Sequence, residues 1–106
     1  MIIYSYELVT SAEQEEKFLA AARNLAVEVV RFDGCASADF ERELGRDHAY
    51  RFEECWTSLQ AHDEQSATLD TQLMQALSAS LAEKPVKRLF ATNRNTRRDC
   101  RVTPNK

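Results

Sequence analysis

The residues best suited to chemistry lie between positions 50 and 62. Tyr50, Phe52, Glu54 and Trp56 recur at every second position, and His62 follows six residues later. In a strand that spacing puts all four side chains on one face. Three aromatic rings then surround a carboxyl group, a wall suited to a flat ligand. An indole N–H donates a hydrogen bond, a carboxylate accepts one, and imidazole is the side chain that exchanges protons near neutral pH. Trp56, Glu54 and His62 are therefore the candidate catalytic residues: His62 as base or proton relay, Glu54 as its orienting partner, Trp56 as a donor to a substrate oxygen. Tyr4 and Tyr6, near the N-terminus, and Phe52 are the candidate substrate-binding walls. The plainer alternative makes the aromatics core or interface packing, pairs Glu54 with Arg51 or Arg88, and pairs His62 with Asp63 or Glu64.

These residues need elements to hold them. Residues 2–9 are β-branched and aromatic and predict strand 1. Thr10 or Ser11 is expected to cap a helix running to about Arg31, with Phe18, Ala22, Leu25, Val29 and Phe32 forming one apolar stripe. Asp33-Gly34 ends it. Residues 35–44 alternate weakly and predict strand 2. A turn at Gly45-Arg46-Asp47 leads into strand 3 over 48–57. Thr57 or Ser58 caps a short helix to about Ser66, and Thr68 or Asp70 opens another with Leu69, Leu73, Leu77 and Leu81 in a row. Residues 86–92, after Pro85, predict the last strand. The order βαββαβ specifies an α+β, ferredoxin-like sheet with its helices on one face. The other face is expected to pair with a second copy in a homodimer.

Composition narrows the function. The chain has 106 residues, enough for one domain over 1–92, with a basic tail over 93–106. Residues 87–106 hold seven Lys/Arg and one Asp, whereas residues 1–86 hold seven Lys/Arg against sixteen Asp/Glu. An acidic body disfavours nucleic acid on the sheet face. No apolar run approaches the length of a membrane helix, and the N-terminus lacks the pattern of a secretory signal, so a cytoplasmic protein without a membrane partner is expected. Three cysteines outside any C-x-x-C spacing, and two histidines without ligand spacing, predict neither a disulfide framework nor a metal site. With only Gly34 and Gly45, no glycine-rich loop exists to cradle phosphates.

Taken together, Gly34-Cys35 after the first helix, Phe52-x-Glu54-x-Trp56 on strand 3, Leu59-Gln60-Ala61-His62 just beyond it and the closing Pro85-Val86-x-x-Leu89-Phe90 strand resemble the antibiotic biosynthesis monooxygenase family. The resemblance implies a dimeric α+β barrel and oxidation of a quinol or polycyclic phenol by O₂ without metal, flavin or haem. The same residues depart from the family in a shortened link between Trp56 and His62 and in the lack of a second histidine at Gln65-Ser66-Ala67. Those departures leave open a non-catalytic dimeric barrel that binds a small aromatic ligand or a protein partner. Tyr4 at the strand-1 position, and no Trp or His in residues 68–84, disfavour haem degradation.

Overall fold

The computed structural model describes residues 1–93. Apart from its first residue, the basic tail expected over 93–106 lies outside the described residues. The elements are β1 (Ile2–Val9), α1 (Glu15–Val29), β2 (Cys35–Arg42), β3 (Ala49–Trp56), α2 (Leu59–Ser66), α3 (Thr71–Ala79) and β4 (Val86–Ala91). The strands form one sheet in the order β2-β3-β1-β4, and every neighbouring pair is antiparallel. β3 is thus inserted between β1 and β2, and β4 pairs with the other edge of β1. This is the ferredoxin-like α+β arrangement that the strand and helix order predicts.

Register determines what shares the helix-covered face. Ile2 pairs with Trp56, Tyr4 with Glu54, Tyr6 with Phe52 and Leu8 with Tyr50. Directly opposed residues point to the same side, so the β1 and β3 aromatics and Glu54 form one continuous surface. α1 covers it with Phe18, Ala21, Ala22, Leu25 and Val29, all buried; four of these belong to the predicted stripe, whose fifth member, Phe32, lies beyond the helix end and is half-buried. At roughly 25 cal/mol per Å² of apolar surface, each fully buried large side chain contributes about 2 kcal/mol.

Several boundaries shift for identifiable reasons. α1 starts at Glu15 with Gln14 at its cap and no side-chain cap bond. Thr10 does not cap it, because its hydroxyl donates instead to the Ser80 carbonyl at 2.5 Å, fastening β1 to the end of α3. Ser58 and Asp70 do cap their helices, accepting from the Ala61 and Gln72 amides respectively. In the leucine row only Leu77 is buried; Leu69, Leu73 and Leu81 are half-buried against the core's rim. Part of the space beneath α3 is an open pocket, so this stripe does not meet a fully packed surface.

Candidate functional site

Gly34 admits α2 to the sheet. It has φ +89°, and a β-carbon there would stand 2.7 Å from Ala61 Cβ and 3.1 Å from Thr57 Oγ1. Only glycine combines that backbone with that approach. The Gly34 carbonyl also accepts from the Thr57 amide at 2.8 Å, which fixes the exit of β3. α2 then starts at Leu59 and lays His62 back over the sheet.

The His62 ring stacks on Tyr4, centroids 3.7 Å apart and planes 16° from parallel. It meets Trp56 edge-on at 5.3 Å. Nδ1 lies 3.1 Å from Asp63 Oδ1. A carboxylate only accepts, so Nδ1 carries the hydrogen of that bond. In the neutral ring Nε2 is consequently the bare acceptor, 4.0 Å from Glu54 Oε1. Glu54 Oε1 in turn accepts the Trp56 indole N–H at 2.8 Å. Both Trp56 and Glu54 are buried, at 1% and 6% exposure.

Burial governs the electrostatics. Desolvation holds the Glu54 carboxyl above its ordinary range and outweighs the opposing effects of the Trp56 hydrogen bond and the charges of His62 and Lys87. The Tyr6 phenol is pushed far up by burial first, then by the nearby Glu54 charge and Tyr4. Tyr4 is raised as well, by burial and then by Asp63 and Glu54. Both phenols therefore keep their protons across the physiological range.

Glu54, Trp56 and His62 form one wall of a pocket of about 480 Å³ between the sheet and the helices. The size falls within the roughly 300–1,000 Å³ typical of small-molecule sites. Tyr6 and Phe52 extend the sheet wall, while Leu25, Val29 and Phe32 close it on the α1 side. Leu69, Met74 and Leu77 face them from the α3 side. Of the sequence-derived site residues, five meet at this pocket. Tyr4 does not line it; it sits behind, as the platform under His62.

Asp63, which the sequence offered as a partner for His62, does orient its ring. Two further contributors were not legible as part of the site. Lys87 comes from β4, its Nζ 5.6 Å from the Tyr4 ring centre, and its charge acts on Glu54. Phe32 stands at the end of the predicted α1 stripe and packs against Trp56 with centroids 6.4 Å apart. Among the described residues no group of three or more His, Cys, Asp or Glu is arranged to hold a metal ion, and no helix is long and apolar enough to cross a membrane.

A ferredoxin-like α+β sheet with an aromatic-walled pocket on its helical face defines the structural class. The family model for antibiotic biosynthesis monooxygenases matches residues 1–79, and the chain belongs to that family. Solved structures agree on the fold. A structure named as an antibiotic biosynthesis monooxygenase superposes with a TM-score of 0.78 at 19% identity, covering 87% of this chain and 98% of that one. A Nitrosomonas europaea protein bearing the same family name gives a TM-score of 0.80 at 13% identity, covering 89% of this chain and 100% of that one. One from Caulobacter crescentus gives 0.78 at 19%, covering 88% and 90%. No curated protein matches the chain in sequence.

Proposed function

We propose that the protein is a cofactor-independent monooxygenase that oxidises a quinol or polycyclic phenol with O₂, acting as a homodimer in the cytoplasm. The observation that carries this reading is the convergence of His62, Trp56 and Glu54 on one wall of an otherwise apolar pocket. Family membership supports the reaction class.

In this reading a flat substrate lies between Phe52 and Tyr6 on one side and the α1 and α3 side chains on the other. His62 Nε2 takes the phenolic proton, its ring held by the Asp63 bond at Nδ1 and by Tyr4 beneath. The resulting imidazolium stabilises the substrate anion, while the Trp56 N–H, expected from the sequence to reach the substrate, is instead donated to Glu54 and holds that carboxyl in place. The electron-rich anion reduces O₂. A ring C–H becomes a carbonyl, the phenol becomes a quinone, and the second oxygen leaves as water, so the substrate supplies every electron. Apolar walls exclude bulk water from the intermediates.

Oxygen uptake with a panel of quinols and polycyclic phenols, in metal-chelated buffer, tests the reading. Turnover is expected with at least one member. His62→Ala should lower kcat by about 10²–10⁴-fold, and Trp56→Phe, which removes one donor, by about tenfold. Absence of turnover across the panel, or variants equal to wild type, removes the assignment. The shortened link and single histidine favour a second reading, a barrel that only binds. It predicts ligand quenching of Trp56 fluorescence with no oxygen consumed.

A further inference from the structure

We propose that the pocket accepts uncharged fused-ring phenols and rejects congeners that carry a carboxylate; this rests on the oxygenase reading for the phenol, and on the pocket's lining for the rejection. No Lys or Arg occurs among the described lining residues. Away from the Glu54–His62 wall the surface is mostly Leu, Val, Phe and Met side chains, with a few neutral hydroxyls such as Tyr6 and Thr71.

Among the described lining residues His62 is the one side chain able to become cationic, and two carboxyl groups already face its ring. Asp63 Oδ1 stands 3.1 Å from Nδ1 and Glu54 Oε1 stands 4.0 Å from Nε2. Lys87, whose charge acts on Glu54, lies over the Tyr4 ring and does not line the pocket. A ligand carboxylate in the pocket would therefore meet no Lys or Arg among the described lining residues and would lie within the field of Glu54.

A phenol avoids this conflict. It enters neutral and ionises only beside His62. Desolvation already shifts the buried Glu54 carboxyl toward its acid form, which marks this wall as an unfavourable place for a further permanent negative charge.

Three ligands with one ring system separate these terms: a naphthol, a hydroxynaphthoate and the methyl ester of that hydroxynaphthoate. The ester is larger than the acid but uncharged, so size and charge predict opposite orders. Binding is measured by calorimetry on the full chain, anaerobically and at neutral pH. Naphthol and ester are expected to bind, with the acid weaker than its ester by at least about tenfold. An acid that binds as tightly as its ester, or no binding by any of the three, overturns the inference. Oxygen uptake, run in parallel, keeps the two readings apart. Ester-over-acid selectivity without turnover of any phenol removes only the oxygenase reading. Turnover of acid and ester with equal affinity removes only the selectivity.

Discussion

The helix-facing side of β3 ends in two trios of the same composition. At its start, the Tyr50 hydroxyl donates to Glu15 Oε2 at 2.6 Å and His48 Nδ1 lies 3.3 Å from Glu15 Oε1. At its end, the Trp56 indole donates to Glu54 at 2.8 Å and His62 Nε2 lies 4.0 Å from the same oxygen. Each is a carboxylate, a histidine and an aromatic donor. Yet Glu15 is held below its ordinary range, chiefly by the Tyr50 hydrogen bond, whereas Glu54 is held above it by burial. Glu15 sits on the half-exposed first turn of α1, and its trio closes a seam. Glu54 sits inside, and its trio faces empty space. Composition alone does not make a site; burial beside a cavity separates the trio proposed to react from the other.

Exchanging the histidines tests this contrast most strongly. His62→Ala should abolish most turnover, whereas His48→Ala should leave kcat within about twofold of wild type. Equal losses in oxygen uptake would erase the distinction.

The two glycines give the next effect, on stability. Gly34 and Gly45 both have positive φ, but nothing lies within 4 Å of a β-carbon at Gly45. Gly45→Ala should cost about 1 kcal/mol for the backbone alone. Gly34→Ala should cost about 2–3 kcal/mol, because Ala61 must also move. Urea denaturation of both variants measures the difference.

The carboxylates give the smallest effect, and of opposite sign. The folded chain holds the Glu54 proton more tightly than the unfolded chain does. Glu54 therefore makes stability decline as pH rises from its ordinary value of 4.5 through its raised folded value, and level off above. Glu54→Gln should remove that decline, and it should be relatively more stable at neutral than at acid pH. Glu15 acts in reverse: its contribution is complete above 4.5 and is lost as pH falls through its lowered folded value. Glu15→Gln should flatten only this acid limb. Thermal melts across pH resolve both slopes, and parallel profiles for the two variants would contradict the assignment.

The two trios also differ in how far they could be read from the chain. Alternation on β3 and the apolar stripe of α1 are local periodicities, so the sheet's inner face and the Ser58 and Asp70 caps follow from residue spacing, whereas α1 ends at Val29, before the Asp33-Gly34 stop expected for it. The Thr10–Ser80 bond joins positions seventy residues apart and redirects a hydroxyl that local rules assign to a cap. Tyr4 has the composition of a pocket wall, but register sets it opposite Glu54 and the tilt of α2 places His62 on top of it. Asp63 follows His62 directly and its pairing is local, whereas Lys87 carries no local signal, and only the addition of β4 brings its charge to bear on Glu54. The half-buried leucines of α3 carry a related lesson. A clean apolar stripe announces what it faces as apolar, without saying whether that space is full.

Trp56 is the sole tryptophan in the chain, and its indole nitrogen is bonded to the one carboxyl whose ionisation the pocket perturbs. The molecule therefore contains its own optical reporter. Emission excited at the indole band originates wholly from this wall, so its wavelength and intensity should follow the protonation of Glu54. Displacement of solvent by a ligand should be registered in the same signal, with no label and no background from a second indole.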